Sequence, residues 1–135
     1  STLLILRHRF GRIKLNKEYT ENLPLVECNM GQLNQVFTNL IGNALDAMEE
    51  KGTLTISTQE LPNHIEIRIK DTGMGMSKEV TDHVFEPFFT TKEVGKGTGL
   101  GLSISYGIIQ KHQGKLRVES ELNVGTTFII SLPKS

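Results

Sequence analysis

The sequence predicts one two-layer α/β domain, in which a five-stranded, mixed and mainly antiparallel sheet is covered on one face by about three helices. Five segments alternate between apolar and polar residues with a period of two, which is typical of half-buried strands. A long segment after the first of them repeats its apolar residues every three or four positions, as an amphipathic helix does. With 135 residues, the chain is long enough to bury one hydrophobic core.

The charges of the chain are balanced, with 15 lysines and arginines against 15 aspartates and glutamates. This balance favours neither nucleic acid nor an anionic membrane as a partner. One cysteine and four histidines provide neither a disulfide framework nor a paired-cysteine metal site, which is typical of a reducing compartment. No apolar run reaches the ~20 residues of a membrane helix. We therefore expect a cytoplasmic domain without direct membrane contact, whose parent protein can still be anchored elsewhere.

The N-terminal part of the chain predicts a short element followed by an edge strand. Residues 3 to 10 fit either a helix or a strand, because a short apolar run satisfies both periods, and we expect a helix. The segment RIKLNKEY, from Arg12 to Tyr19, alternates as a half-buried strand does. Pro24 closes this strand, since proline cannot continue a hydrogen-bonded ladder.

A continuous apolar stripe predicts a helix from Met30 to Glu50, ended by Gly52. On the opposite side, four polar residues at i, i+4, i+8 and i+11 share one face, namely Gln35, Asn39, Asn43 and Asp46. Asparagine is a poor choice for the middle of a plain helix, because its side chain competes for backbone hydrogen bonds. The face is either a solvated surface or part of a site, and the helix alone does not decide.

The next two strands, TLTISTQE and HIEIRIKD, form a predicted hairpin through Leu61, Pro62 and Asn63. The second strand places Asp71 at its carboxyl end, before a turn that contains Gly73 and Gly75. An isolated aspartate before a glycine is often only a turn residue, but a plain turn needs one glycine rather than two. A short helix, capped by Ser77, is expected to follow and to end near His83.

Residues 84 to 98 show no periodicity and mix three phenylalanines with glycines, threonines and lysines. A loop of this length in a compact domain is usually functional or disordered, and we expect residues 86 to 98 to form a lid that closes over a ligand. A helix is predicted from Leu100 to His112, with Gly114 as its stop. The strands KLRVESE and TTFIISL then form a second hairpin around Asn123, Val124 and Gly125.

Together these parts predict a nucleotide pocket. A carboxylate at a strand end, Asp71, can accept a hydrogen bond from an exocyclic amine such as that of adenine. The run GKGTGLGLS supplies several backbone N–H groups before a helix, which is an arrangement that binds anions, although it fits neither common phosphate-loop pattern. The amide oxygen of Asn43, aided by Asn39, suits Mg²⁺, which prefers oxygen ligands.

Four ordered motifs resemble one known family. The segments NLIGNALDA, DTGMGM, FEPFF and GTGLGLSI are similar to the N box, first glycine box, F box and second glycine box of the catalytic and ATP-binding domain of sensor histidine kinases. The resemblance covers residues 11 to 133 and implies the Bergerat fold, which is shared with DNA gyrase B, the heat-shock chaperone ATPases and the mismatch-repair ATPases. It implies a catalytic domain at residues 11–135, with residues 1–10 left from the junction to a dimerisation and phosphoacceptor domain.

The resemblance also implies roles for individual residues toward ATP and Mg²⁺. Asp71 would contact the adenine amine, with Gly73 and Gly75 shaping the floor of the pocket. Asn43, with Asn39, would hold Mg²⁺, and Asn43 and Lys92 would be the catalytic residues. Thr127 would support adenine through water. The remaining nucleotide-binding positions implied by the motifs are Met76, Phe88, Thr91, Lys92, Gly97, Thr98, Gly99, Leu100, Gly101 and Leu102.

Two departures from the family pattern modify these expectations. Hydrolysing members of the superfamily carry a glutamate base at the position of Asn39, so slow hydrolysis and transfer to an external acceptor are expected. Many histidine kinases carry a basic residue at the position of Asp46, so the phosphate contact is expected to shift to Lys92, as in kinases of the nitrogen-regulatory type. None of the four histidines is followed by an acidic residue, so the phosphoacceptor is expected on another domain.

The predicted function is therefore transfer of the γ-phosphoryl group of Mg-ATP to a histidine of a dimerisation and phosphoacceptor domain in the same protein. A response regulator receiver domain is the expected downstream partner, and the isolated domain is expected to be monomeric. One alternative is a sensory module that binds ATP without phosphoryl transfer. Another is an autonomous ATPase, which the asparagine at position 39 disfavours.

Overall fold

The computed structural model describes residues 12–21, 23–24, 26, 28–49, 51–89 and 101–134. These residues form the strands β1 Arg12–Glu18, β2 Lys51–Glu60, β3 His64–Asp71, β4 Lys115–Glu121 and β5 Gly125–Pro133, and the helices α1 Met30–Met48, α2 Lys78–Thr81 and α3 Gly101–Lys111. The five predicted strands and the helices predicted after residue 29 are confirmed, with small shifts at their ends. The helix expected at residues 3 to 10 lies outside the described residues.

The strands form one mixed sheet in the order β1-β2-β3-β5-β4. The β1 strand lies at one edge, as predicted, and pairs with β2 in parallel, whereas the other three neighbouring pairs are antiparallel. A parallel pair needs a crossover connection, which α1 provides. Among the described residues, no helix combines the length and the apolar composition that crossing a bilayer requires.

The core lies between the sheet and the pair of helices α1 and α3. The α1 stripe is buried there, and its buried members are Leu33, Val36, Leu40, Ile41, Ala44, Leu45 and Met48. Asn29 caps the start of this helix, and its side chain accepts a hydrogen bond from the Gln32 N–H. Glu49 caps the end in the left-handed conformation, and its N–H donates to Leu45 O. The prediction that Gly52 ends this helix is therefore wrong, because Gly52 already pairs with Ile13 within the sheet.

The helices α1 and α3 run antiparallel and are joined at one end by His112. Its Nε2 accepts the Asn29 backbone N–H at 3.0 Å, and its Nδ1 lies 2.8 Å from Ile108 O. Since a carbonyl can only accept, this pair of contacts selects the imidazole tautomer with the proton on Nδ1. His112 thus fixes the start of α1 to the end of α3.

Charged side chains cover the face of the sheet that points away from α1 and α3. Ile129 belongs to this outer face, yet it is fully buried, because its direct neighbours on the adjacent strands are Arg68 and Arg117. Glu66 is also buried there, with Oε1 2.7 Å from Arg68 Nε and Oε2 3.6 Å from Arg117 Nη2. The long arginine stems shield apolar surface while their charged groups meet the carboxylate.

Candidate functional site

Asp71 is the buried acidic residue at the carboxyl end of β3, with a relative exposure of 2%. Its direct partners on the neighbouring strands are Leu54 and Thr126, so its side chain points to the side of the helices. Oδ1 accepts the Gly73 N–H at 2.9 Å and the Thr126 N–H at 3.2 Å. Within the described part of the chain, Oδ2 has no hydrogen-bond partner.

The environment of Asp71 favours a ligand that donates a hydrogen bond. Burial raises the pKa of the Asp71 carboxyl above its ordinary value of 3.8, and the backbone hydrogen bonds from Gly73 and Thr126 offset this only in part. A buried acceptor without a partner loses its hydration without compensation, which is costly. An amine that reaches Oδ2 would remove that cost, so the geometry fits the predicted contact with an exocyclic amine.

The glycine turn after Asp71 passes between two segments of backbone. A Cβ atom at Gly73 would lie 2.6 Å from Ala47 O at the end of α1. Gly75 has a φ of +70°, and a Cβ atom there would lie 2.0 Å from Glu121 O. Protein backbone therefore fills the space beside both glycines, and their absent side chains allow the turn to hold Asp71 in place.

The predicted role of Thr127 requires a correction. Residues that pair directly across an antiparallel sheet share one face, and Asp71 pairs with Thr126 whereas Thr127 pairs with Lys70. Thr127 therefore lies on the outer face, where it lines a polar hollow with residues that include Lys70 and Glu119. Thr126 is the threonine on the side of Asp71, with a relative exposure of 5%.

Asn39 connects α1 to the first turn of α3. Its Nδ2 donates to Gly101 O at 3.1 Å and lies 3.2 Å from Ser105 Oγ. Ser105 is completely buried and donates to the same Gly101 carbonyl at 2.9 Å. The Gly101 carbonyl, in the first turn of α3, therefore accepts two hydrogen bonds, one from Asn39 and one from Ser105. Sequence reasoning missed Ser105, because the motif itself does not indicate which side of α3 meets α1.

Asn43 lies one turn after Asn39 on α1 and is half-buried. The described residues contain no group of three histidine, cysteine, aspartate or glutamate side chains that could hold a metal ion. Mg²⁺ retains several waters and uses one or two protein oxygens together with phosphates, so an amide oxygen at Asn43 fits this mode of binding.

The F box is anchored by Phe85. Its ring stacks on Tyr106 with 5.2 Å between centroids and meets Phe128 edge-on at 6.3 Å. Phe88, which the resemblance implied as a nucleotide contact, is 73% exposed with a φ of +66°, so this structure does not bring it into the pocket. Phe85 is thus the aromatic residue that ties this segment to the core.

The other implied positions are divided between the core and the part of the chain outside the described residues. Met76 and Leu102 are partly buried against the hydrophobic core. Gly101 is the first residue of α3, and a Cβ atom there would lie 3.7 Å from Asn39 Cγ. The positions outside the described residues are Thr91, Lys92, Gly97, Thr98, Gly99 and Leu100.

Replacing Asn39 by alanine tests its connection to α3. We expect the free energy of unfolding without nucleotide to fall by about 1–2 kcal/mol, because the Gly101 carbonyl and the buried Ser105 hydroxyl lose a partner. Urea denaturation measures this change. Gln35→Ala, one turn earlier on the same helix at an exposed position, is the matched control and should change stability by less than about 0.5 kcal/mol. A residue that served only a metal would leave the stability of the free protein unchanged.

Comparison with known proteins places these features in a family. The sequence model of the family described as "Histidine kinase-, DNA gyrase B-, and HSP90-like ATPase" matches residues 29–135. Sensor kinase CckA of Brucella abortus is 42% identical over 147 residues, which cover 97% of this chain and 16% of that protein. Sporulation kinase E of Bacillus subtilis is 39% identical over 132 residues, covering 97% of this chain and 18% of that protein. The chain therefore spans less than a fifth of these relatives.

Solved structures agree in fold. The catalytic domain of histidine kinase ThkA superimposes with a TM-score of 0.87 at 32% identity, covering 98% of this chain and 89% of that one. Full-length ShkA in complex with AMPPNP gives 0.86 at 25% identity, with 98% of this chain and 28% of that one covered. ThkA in complex with the response regulator TrrA gives 0.83 at 28%, with 99% and 38% covered. This chain belongs to the histidine kinase-, DNA gyrase B- and HSP90-like ATPase family, and its fold is that of histidine kinase catalytic domains.

Proposed function

We propose that this chain binds Mg-ATP and transfers the γ-phosphoryl group to a histidine on a dimerisation and phosphoacceptor domain of the same protein. The observation that carries the proposal is the buried Asp71 carboxylate, whose Oδ2 has no partner among the described residues. Adenine presents an exocyclic amine that can donate to this oxygen. The Gly73 and Thr126 N–H groups hold the other oxygen, so the carboxylate is oriented before the base arrives.

The phosphate groups belong at the start of α3. Exposed N–H groups at a helix N-terminus favour anions, and the second glycine box leads into this one. Asn39 and Ser105 hold the Gly101 carbonyl and thereby fix the direction in which α3 begins. Asn43 is the proposed protein ligand of Mg²⁺, which when bound neutralises charge on the phosphate oxygens. Lys92, which precedes α3 in the sequence, is the proposed second cation.

The side chain at position 39 also favours transfer over hydrolysis. An amide cannot accept a proton as a carboxylate base does, and the Asn39 amide nitrogen is already engaged with Gly101 and Ser105. Water at the γ-phosphate therefore receives no general base from this position. This leaves the nucleophile to be supplied by the acceptor histidine, with the chain contributing position and charge stabilisation.

The proposed partners follow the same reasoning. ThkA, a structural neighbour at 28% identity, has been solved in complex with the response regulator protein TrrA, which supports a receiver domain as the downstream partner of the parent protein. ShkA, solved with AMPPNP, supports an ATP-type ligand. The parent protein is proposed to present this domain in the cytoplasm, where ATP is available.

Transfer to a separate histidine domain is the direct test. This chain is incubated with labelled ATP, Mg²⁺ and a panel of phosphoacceptor domains from related sensor kinases, and acid-labile phosphate on each acceptor is measured. We expect labelling that falls with Asp71→Asn at ATP concentrations that do not saturate the variant, and that disappears with chelation of Mg²⁺ or when the acceptor histidine is replaced by glutamine. Multiple-turnover release of free phosphate without acceptor labelling would instead identify an ATPase. Tight ATP binding with neither reaction would identify a sensory module.

A further inference from the structure

The Ser120 hydroxyl lies at the centre of a small hydrogen-bond network beside Asp71. Ser120 pairs directly with Thr126, which pairs directly with Asp71, so the three side chains form one row on the side of the helices. Ser120 Oγ lies 2.7 Å from the Met76 N–H nitrogen, 3.0 Å from Gly125 O and 2.7 Å from Thr126 Oγ1. The network thus joins the first glycine box to the turn between β4 and β5.

The number of available protons fixes the direction of these bonds. A serine hydroxyl carries one hydrogen and two lone pairs. The Gly125 carbonyl can only accept, so it takes the Ser120 hydrogen. The Met76 N–H donates to one lone pair of Ser120 Oγ. The other lone pair accepts the hydroxyl hydrogen of Thr126, which is therefore directed away from Asp71 and toward Ser120.

The consequence is a pair of neighbouring groups that can only accept. Thr126 Oγ1 has given its hydrogen to Ser120 and keeps lone pairs, and Asp71 Oδ2 is an acceptor as well. We infer that Ser120 is a positioning residue for base selection, which turns the Thr126 hydroxyl so that the pocket accepts a 6-amino purine and rejects a 6-oxo purine. This inference rests on the proposed adenine contact of Asp71.

The physical reason for selection is the chemistry at the purine 6-position. A 6-amino group offers two hydrogens, one for Asp71 and one for Thr126 directly or through a water. A 6-oxo group is itself an acceptor, so it could form a hydrogen bond with neither Asp71 Oδ2 nor Thr126 Oγ1. Both oxygens would then remain buried without a donor. A Thr126 hydroxyl that was free to rotate could instead donate to a 6-oxo oxygen, and the discrimination would weaken.

Calorimetric titration with ADP and with IDP tests this role. We expect Ser120→Ala to reduce the ratio of ADP affinity to IDP affinity about 3- to 10-fold, which corresponds to one hydrogen bond gained or lost. Ser120→Thr keeps the hydroxyl, so its ratio of ADP affinity to IDP affinity should equal that of the wild type. Ser57→Ala lies on the outer face of the sheet and is the matched control, which should keep the ratio of the wild type. A merely structural serine would weaken both nucleotides equally, and an unchanged ratio in Ser120→Ala would overturn the inference.

A second variant keeps the test decisive if Ser120→Ala does not fold. Thr126→Val removes the hydroxyl and should reduce the ratio by itself, and an unchanged ratio in this variant would also overturn the inference. In the double variant, Ser120→Ala should add no further loss of discrimination, because it acts through Thr126. Failure of the proposed adenine pocket is recognised separately. In that case the wild type would not distinguish ADP from IDP, or Asp71→Asn would still do so.

Discussion

Asp71→Asn is expected to weaken ATP binding by about 1–3 kcal/mol, or roughly 5- to 150-fold in Kd. Asparagine keeps an oxygen for the Gly73 and Thr126 N–H groups, but it places an N–H donor where Oδ2 now faces the pocket. That donor meets the amine of adenine, which also donates. Calorimetry with a non-hydrolysable ATP analogue measures the change. Asp82→Asn, at an exposed position on the protein surface, is the matched control and should bind as the wild type does.

The same substitution should stabilise the protein when no nucleotide is present. Burial raises the pKa of Asp71, so the folded state binds this proton more tightly than the unfolded state does. The contribution of the wild-type carboxyl is therefore largest below its ordinary pKa of 3.8 and is lost as the pH rises through the folded value. Asparagine cannot ionise, so its stability advantage should be small at low pH and grow above that range. Urea denaturation as a function of pH checks this, and an advantage that shrinks with rising pH would contradict it.

Gly75→Ala is expected to destabilise the domain by about 3–5 kcal/mol, the largest stability effect that we expect from a single methyl group. Gly75 has a left-handed backbone conformation, which alanine adopts only with strain. The added Cβ would also lie 2.0 Å from Glu121 O, which is a backbone atom and cannot rotate away. The turn would have to shift, and Asp71 would shift with it. We therefore expect weaker nucleotide binding as well as a lower midpoint of urea denaturation.

Gly107→Ala is the matched control for this substitution. Gly107 lies inside α3, and a Cβ atom there would meet no other group within 4 Å. Alanine in a helix is favoured over glycine by about 0.5–1 kcal/mol, so this variant should be more stable than the wild type. If Gly75→Ala instead behaved like Gly107→Ala, the close passage of the turn beside β4 would be refuted.

The fold was predictable because most elements carry a clean local pattern. The α1 stripe and the alternation in β2 and β3 indicated which side each element buries, and β3 placed Asp71 at its end. The strand β5 was predicted as well, but Phe128, Ile129 and Ile130 form an apolar run within it, so the pattern alone does not separate the two faces of this strand. Ile129 is buried by Arg68 and Arg117 from neighbouring strands, which the local sequence does not reveal. The role of Thr127 came from the resemblance to the family, and only the pairing of β5 with β3 shows that Thr126 is the threonine on the side of Asp71.

The parts of the site that were missed depend on contacts between elements far apart in the chain. The sequence showed that Asn39 and Asn43 share a face of α1, but it could not show that Gly101 and Ser105 lie opposite Asn39. Likewise, the F box contains three phenylalanines, and only the packing against Tyr106 and Phe128 distinguishes Phe85 from the exposed Phe88.

The position of β5 between β3 and β4 has a consequence for the order of folding. The hairpins β2–β3 and β4–β5 are local and can form early, whereas the bond from Thr126 to Asp71 joins residues 55 positions apart. Neither hairpin alone contains the row formed by Asp71, Thr126 and Ser120. The proposed adenine pocket therefore forms only after the two hairpins have joined at the centre of the sheet. A bound nucleotide would accordingly stabilise the completed sheet and leave its separate halves unaffected.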